Sequence, residues 1–328
     1  MKNPKITLIG GGTGSYTLLQ SLKSLTPDIT ALVNMADDGG STGVLRDELG
    51  VLPPGDIRQC LVALSGAPQE LRDLFNFRFP SGTLEGHSFG NIFLSAVEKM
   101  TNNFDDSVRM ASDVLRITGR VLPVTVDDCE LVMEYGDKVV TGQRLIELTN
   151  LKPKTLPDMG FTKRAQASQA AIQAISEADI IVIAPGNLYA SLAPALIVDG
   201  ISRALLDTKA KVVYVCNLVN KPNHTTDFAV HDYAHEIERF TTPGILDYVL
   251  YNLDTPTDSL LEKYALEREY PVLVDQTILE NQTYKAIGGN FLSHSHITRN
   301  PNDSLIKRSL IRHDARAVVD TIKTLCLR

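Results

Sequence analysis

The sequence predicts a doubly wound, Rossmann-like α/β fold, in which a mostly parallel sheet lies between two layers of helices. Short apolar runs of strand length alternate with amphipathic helical patterns in both halves of the 328 residues. Three of these runs lead directly into loops rich in glycine and small polar residues. In mid-chain the apolar pattern changes to a period of two, which is typical of antiparallel strands. We therefore expect residues 1–328 to form a single α/β domain with an antiparallel insertion at about 120–160.

Composition and charge exclude several classes of function. The hydrophobic content of 43% and the charged content of 22% are those of ordinary globular proteins. A net charge of −7, without any basic run, argues against nucleic acid as a partner. The four cysteines lie far apart and form no CxxC pair, so neither a disulfide framework nor a zinc site is expected.

The sequence carries no recognisable targeting or membrane signal. The first apolar run begins within a few residues of Met1, which leaves no room for a signal peptide. No apolar run approaches the roughly 18 residues that a membrane span requires. We expect a cytoplasmic protein without a membrane span, and a homo-oligomer is left open.

The first predicted strand, residues 5–9, runs directly into a glycine-rich turn and a helical pattern. Glycines let successive backbone N–H groups face an anion, and the helix N-terminus adds the positive end of its dipole. The spacing approximates the dinucleotide fingerprint but lacks its third Gly or Ala, so a βα turn without a ligand remains the alternative. The predicted phosphate cradle comprises Gly10, Gly11, Gly12, Thr13 and Gly14.

The second predicted strand, residues 29–33, ends in a loop that contains Asp37 and Asp38. Parallel strands bring their carboxyl ends to one edge of the sheet, so this loop should face the same crevice as the first. Paired carboxylates beside a diphosphate suit Mg²⁺, which completes its coordination with phosphate oxygens and water. The alternative is an Asx turn before a helix. Because Val33 and Asn34 replace the acidic residue of Rossmann dehydrogenases, hydride transfer is less favoured.

A polar cluster precedes the helical pattern that begins near residue 89. It comprises His87, Ser88 and Asn91. Ser88 can cap the helix and His87 can donate to an anion, although capping alone would also explain the cluster. Asp56 and Arg58 likewise suit either a helix start or a site.

Secondary structure elsewhere follows from periodicity and from turn residues. Helices are predicted over 57–64, 69–77, 106–119, 165–177, 199–207, 229–240, 258–268 and 314–327, the last with Asp314 as N-cap. Strands are predicted over 121–126, 130–135, 138–141, 179–184, 211–216, 245–251 and 271–274. Residues from about 142 to 160 are predicted to be an irregular connection.

A third loop, after the strand at 179–184, has the same design as the first. Gly186 permits close approach of the backbone, and Asn187 offers neutral donors to a diphosphate, a sugar or a base. Tyr189 either stacks on a ligand ring or packs in the core. Asn217 ends the next strand and should border the same crevice.

Two further basic residues, Arg312 and His313, precede the last helix and would bring positive charge to an anionic ligand. The sequence contains no GxSxG, no HExxH and no Walker lysine, so hydrolase, metalloprotease and P-loop functions are not indicated.

Six motifs in order resemble the CofD/YvcK family, and the resemblance covers nearly the whole chain. They are IGGGTG (9–14), ADDGGS (36–41), RDELG (46–50), PPGDIR (53–58), GHSFGN (86–91) and APGNLY (184–189). The resemblance ends at LIRHD (310–314).

This resemblance implies one of two functions. One branch of the family is 2-phospho-L-lactate transferase, which moves a phospholactyl group from a guanosine diphosphate-linked donor to a deazaflavin precursor with Mg²⁺. The other is the gluconeogenesis factor group, cytoplasmic proteins that bind UDP-sugars and support growth and cell shape, with no established turnover. The segments GGS (39–41), RDE (46–48) and PPGD (53–56) resemble the second branch.

We therefore expect a UDP-sugar-binding regulatory factor, with a Mg²⁺-dependent transferase of phosphorus-containing groups as the alternative. An NAD(P)-dependent oxidoreductase would rest on the glycine loop alone. By match to the family, the implied nucleotide-sugar site comprises Gly11, Gly12, Thr13, Asp37, Asn91, Asn187, Tyr189, Tyr264 and Arg312. Tyr264 enters this set through the resemblance only.

Overall fold

The computed structural model describes residues 3–294 and 310–326 and confirms the predicted fold class. Within those residues a seven-stranded parallel sheet has helices on both faces, and a smaller three-stranded antiparallel sheet lies beside it. The strands are β1 (Ile6–Ile9), β2 (Ile29–Val33), β3 (Arg120–Pro123), β4 (Leu131–Tyr135), β5 (Lys138–Thr141), β6 (Asp158–Phe161), β7 (Ile180–Ile183), β8 (Lys211–Val215), β9 (Tyr248–Asn252) and β10 (Lys285–Gly289).

The helices follow most of the predicted positions. They are α1 (Gly12–Leu22), α2 (Gly40–Leu49), α3 (Gly55–Leu64), α4 (Gln69–Asn76), α5 (Phe89–Thr101), α6 (Phe104–Leu115), α7 (Gln143–Glu147), α8 (Gln169–Glu177), α9 (Ala193–Leu196), α10 (Ile201–Asp207), α11 (Val230–Phe240), α12 (Asp258–Leu266), α13 (Gln276–Leu279) and α14 (Ala315–Cys326). A π-helical turn, Leu188–Leu192, precedes α9. Asp314 caps α14, because its side chain accepts hydrogen bonds from the backbone N–H groups of Arg316 and Ala317. No helix in the described part of the chain is both long and apolar enough to cross a membrane.

The order of strands in the main sheet is β10-β9-β8-β7-β1-β2-β3. From β1 the chain proceeds to β2 and β3 on one side, whereas β7 to β10 extend on the other. The order therefore reverses between β1 and β7. In doubly wound sheets, ligands bind in the crevice outside the carboxyl ends of the strands at such a switch point.

The central strands of the sheet are buried on both faces, so they are mostly apolar. Successive side chains of a strand point to opposite faces. Accordingly Leu8 packs in the cluster with α1, α3, α6 and α14, whereas Ile9 packs in the cluster with α8, α10 and α11. The two clusters hold the central strands rigidly and fix where their carboxyl ends lie.

Three segments differ from the prediction. Residues 121–126, predicted as an antiparallel strand, instead supply β3, which pairs parallel to β2 at the edge of the main sheet. The connection predicted to be irregular, 142–160, contains α7 and the start of β6, which pairs with β4. The segment 271–274 forms only isolated bridges, and the last strand is β10, whose two glycines weaken its strand pattern.

Candidate functional site

The glycine loop after β1 and the loop after β7 lie against each other at the switch point. A Cβ added to Gly14 would overlap the backbone carbonyl oxygen of Pro185, so only glycine allows this approach. The backbone N–H of Gly186 donates to Oδ1 of Asn217 at 3.3 Å, and Nδ2 of Asn217 donates to the carbonyl oxygen of Gly186 at 2.8 Å. The loops after β1, β7 and β8 thus form one continuous rim.

The N-terminus of α1 already has an acidic neighbour, Asp56. The backbone N–H of Gly12 donates to Oδ1 of Asp56 at 3.0 Å, and a Cβ on Gly11 would overlap the same carboxyl group. Asp56 belongs to the first turn of α3, which packs against α1. From the sequence, Asp56 fitted either a helix cap or a site, and the structure brings it to the predicted phosphate cradle.

Asp37 and Asp56 form an interacting acidic pair, in which Asp56 is buried and Asp37 is half-buried. Burial raises the pKa of Asp37, although its carboxylate accepts a 3.0 Å hydrogen bond from the N–H of Gly39. Burial and the nearby Asp37 raise the pKa of Asp56 to about 7, against the opposing effects of the Gly12 N–H and of Arg58. Two carboxyl groups in such an environment favour a shared proton or a bound cation.

Asp38 lies near Asp37 and its charge also raises the pKa of Asp37, but its carboxylate has a hydrogen-bond partner of its own. Its Oδ1 accepts a 2.7 Å hydrogen bond from the backbone N–H of Arg144, in the first turn of α7. Neighbouring residues of an extended loop direct their side chains apart, and the second carboxyl group that interacts with Asp37 is that of Asp56. The use of Asp37 and Asp38 together as metal ligands stays a prediction. Asp38 instead ties the loop after β2 to the antiparallel insertion.

The predicted polar cluster joins three elements. Ser88 caps α5 by accepting from the N–H of Asn91 at 3.2 Å. Oγ of Ser41 lies 3.1 Å from Nδ1 of His87 and accepts from Nδ2 of Asn91 at 3.3 Å. Nε of the buried Arg58 donates to Oδ1 of Asn91 at 2.9 Å. The starts of α2 and α5 and the helix α3 are therefore held together by polar side chains beside the acidic pair.

The antiparallel insertion supplies a residue that the sequence did not single out. Oε1 of Glu147, at the end of α7, accepts from Nδ2 of Asn187 at 3.3 Å and lies 3.6 Å from Nζ of Lys221. Asn187 also caps the π-helical turn by accepting from the N–H of Ala190. No motif surrounds Glu147, and only its position in space shows that it borders the crevice.

Tyr189 lies in the core and not at the crevice. Its side chain is fully buried and packs edge-to-face against His224 and Phe240, with ring centroids 5.8 and 6.2 Å apart. Burial raises the pKa of its hydroxyl. Of the two alternatives that the sequence left open for this ring, the structure shows packing in the core, and Tyr189 supports the third loop from beneath.

Tyr264 forms hydrogen bonds with the segment that contains Arg312. Its hydroxyl oxygen accepts hydrogen bonds from the backbone N–H groups of Leu310 and Ile311, at 2.7 and 3.0 Å. The ring of Tyr264 is itself buried in a small apolar cluster. Tyr264 therefore fixes the backbone that precedes Arg312.

His313 anchors the same segment to the main sheet. Its Nε2 lies 3.0 Å from the carbonyl oxygen of Cys216, directly before Asn217. Burial lowers the pKa of His313 to about 4, so the imidazole is neutral near pH 7 and donates to that carbonyl. A neutral His313 leaves Arg312 as the positively charged residue of the predicted pair.

A magnesium ion fits the donor chemistry of the acidic pair only with help from a ligand. Among residues 3–294 and 310–326, no three His, Cys, Asp or Glu side chains lie close enough to hold a metal ion by themselves. Mg²⁺ commonly takes one or two protein carboxylates and fills its octahedron with phosphate oxygens and water. Asp37 and Asp56 would be those carboxylates.

Comparisons of the sequence and of the structure with known proteins indicate the same family. The family model described as 2-phospho-L-lactate transferase CofD matches residues 6–292. A protein of Clostridium acetobutylicum, provisionally named a gluconeogenesis factor, is 39% identical over 98% of this chain and 70% of its own. The gluconeogenesis factor of Bacillus subtilis is 36% identical over 98% of each chain. A crystal structure of a UPF0052 family member from Bacillus halodurans superposes with a TM-score of 0.89, at 35% identity, over 98% of this chain and 99% of that one.

The contact between the two glycine loops predicts the effect of Gly14→Ala. The added methyl group must push the carbonyl of Pro185 away, which should lower the free energy of unfolding by about 1–3 kcal/mol. Gly160→Ala is the matched control, because a Cβ there meets no atom within 4 Å. Denaturant unfolding should show a clear loss for the first variant and little for the second. Equal stability of the two variants would contradict the described contact.

The raised pKa of Asp56 predicts a pH effect on stability. Because the folded-state pKa lies above the unfolded value near 3.9, folding binds a proton, and stability falls as the pH rises from about 4 to about 7. The slope approaches ~1.4 kcal/mol per pH unit for one full proton. Asp56→Asn should remove most of this slope in buffer with a chelator, whereas the exposed Asp320→Asn should not. Identical slopes for wild type and Asp56→Asn would refute the prediction.

Proposed function

The chain belongs to the family of 2-phospho-L-lactate transferase CofD, and on that premise we propose that it binds a nucleoside diphosphate-linked metabolite, a UDP-sugar. The observation that carries this proposal is the meeting of two glycine loops at the switch point of the sheet. Backbone N–H groups and the start of α1 there favour an anion, and the rim continues through Asn217 toward Arg312. A diphosphate carries enough oxygen atoms to accept hydrogen bonds from both loops.

Asp56 sets the conditions under which a diphosphate can bind. Its carboxyl group touches the same N–H that a phosphate would use, so an ionised Asp56 opposes the ligand. The opposition is removed by a proton on Asp56 or by a cation between Asp56 and the phosphates. We therefore expect Mg²⁺ to strengthen binding more at pH 8 than at pH 6.

The sugar end of the ligand suits the polar network on the β2 side. Ser41, His87 and Asn91 combine a hydroxyl, an imidazole and an amide within one hydrogen-bonded cluster. Groups of this kind exchange partners with sugar hydroxyls at little cost, because both states are fully hydrogen-bonded. A UDP-sugar therefore satisfies the site more completely than a simple nucleotide.

As to biological role, we propose a regulatory factor of the gluconeogenesis factor type that acts in the cytoplasm on carbon metabolism and cell shape. The support is the name of the Bacillus subtilis relative, which this chain matches over almost its full length. The fraction of the protein that has ligand bound would follow the concentration of a sugar nucleotide, and the ligand would not be converted to a product.

A transferase is the second candidate, and the acidic pair favours it. Transfer at phosphorus needs positioning and charge neutralisation more than it needs a protein nucleophile. Asp37 and Asp56 would hold Mg²⁺, which would supply that neutralisation when bound, while the glycine loops orient the diphosphate. The family model, described by a transferase, fits this candidate as well.

Thermal-shift and calorimetric titration separate the two candidates. A ligand that binds only the folded state raises the melting temperature by mass action. UDP-sugars should stabilise the protein more than GDP, GTP or NAD, with Mg²⁺ as an enhancer. Preference for guanosine compounds, a strict metal requirement and release of product would establish the transferase instead.

Arg312→Ala should weaken binding of the UDP-sugar about 10-fold or more, because a charge-assisted contact to phosphate is lost. The melting temperature of the unliganded variant should change little. Arg316→Ala, four residues on and exposed on α14, is the matched control and should bind like wild type. Unchanged affinity of Arg312→Ala would remove this arginine from the site.

A further inference from the structure

A second recess lies beside the proposed diphosphate site, at the carboxyl ends of β8 and β9. The cavity measures about 340 Å³ and is lined in part by Asn217, Leu218 and Asp254. Asn217 also bonds to Gly186, so the recess and the loop after β7 share a wall. Its volume is near the lower end for small-molecule sites, which suits one part of an extended ligand.

The lining of this recess suits a flat ring. Leu218 and Val272 contribute apolar surface inside, while Leu253 and Val274 are exposed large apolar side chains that also line it. Ligand sites combine such apolar walls with a few placed polar groups. One of these is the amide of Gln276, which the hydroxyl of Tyr251 contacts at 3.0 Å.

Asp254 presents a carboxylate of fixed orientation in the same recess. Its backbone is held by the side chain of Asn252, which bonds to both the N–H and the carbonyl oxygen of Asp254. Oδ1 accepts from the N–H of Thr255 at 2.8 Å, and Oδ2 pairs with Nε2 of His294 at 2.5 Å. His294 lowers the pKa of Asp254, so the carboxylate is ionised near pH 7. Each oxygen retains a further acceptor position.

We propose that this recess binds the nucleoside of the ligand and that Asp254 accepts hydrogen bonds from the 2′- and 3′-hydroxyls of its ribose. This inference rests on the proposed function. Two adjacent hydroxyls match the two oxygens of one carboxylate. At the end of β2, Val33 and Asn34 stand where Rossmann enzymes have the acidic residue that holds a ribose, and Asp254 follows β9 on the same edge of the sheet.

The spacing agrees with this assignment. Two strand spacings, about 10 Å, separate β7 from β9. That span matches the reach from a diphosphate at the glycine loops across a ribose. The nucleoside would then extend toward β9, and the sugar toward the network of Ser41, His87 and Asn91 on the β2 side.

Calorimetric titration with UDP, GDP, their 2′-deoxy forms and inorganic pyrophosphate tests the inference. For wild type we expect the ribose form of the preferred diphosphate to bind about 10-fold or more tightly than its 2′-deoxy form. Asp254→Ala should lose this preference, with both forms bound like the 2′-deoxy form by wild type. Pyrophosphate should bind wild type and Asp254→Ala alike.

Asp258→Ala is the matched control, since Asp258 is an exposed aspartate on α12 and is not among the residues that line the recess. It should keep the ribose preference. If Asp254→Ala melts at a much lower temperature, Asp254→Asn, which can still accept from Thr255, replaces it and should show a smaller ribose preference than wild type.

Three outcomes would overturn the assignment. They are no ribose preference in wild type, an unchanged preference in the Asp254 variants, and pyrophosphate binding as tight as that of UDP and GDP. If neither the nucleotides nor pyrophosphate bind, the proposed function itself fails, which distinguishes the two failures.

Discussion

The close contact between the loop after β1 and the loop after β7 is the constraint on which the site depends. Both loops leave adjacent central strands in the same direction, and the absence of a side chain at Gly14 lets their backbones touch. The helical layers on both faces of the sheet fix the strands, so the crevice at the switch point is set by the core and not by the loops alone. Every other part of the site is placed relative to this contact.

The crevice also contains charges of opposite sign close to each other. A positive helix terminus and an acidic pair lie side by side, and Asp56 contacts the helix terminus because it accepts a hydrogen bond from the N–H of Gly12. The two carboxylates repel each other unless a proton or a cation lies between them. An anionic ligand adds negative charge and so increases this repulsion. The pH, the divalent cation and the diphosphate should therefore act on one another through Asp56. A factor that senses a metabolite and an enzyme that transfers phosphorus would both use this coupling.

Much of the fold followed from local patterns, because buried parallel strands are apolar throughout and their loops contain glycine. Where the pattern was ambiguous the prediction failed: β3 has an alternating pattern because it lies at the sheet edge, and β10 carries two glycines.

The site residues were likewise predictable from sequence only in part. Glycine loops are visible in sequence, but the partner of Asp37 is set by how α3 packs on α1, and Glu147 enters from an insertion. Tyr189 looked like a ligand residue because sequence does not show which side of a loop faces the core.

In the proposed function, the glycine loops after β1 and β7 bind a diphosphate together. Amide chemical-shift mapping of deuterated, ¹⁵N-labelled protein during titration with UDP and Mg²⁺ tests it most directly. We expect the largest changes at the N–H groups of Gly11, Gly12 and Thr13 together with those of Gly186 and Asn187. Large changes confined to one of the two loops, or located in another part of the protein, would show that the two loops do not bind the diphosphate together.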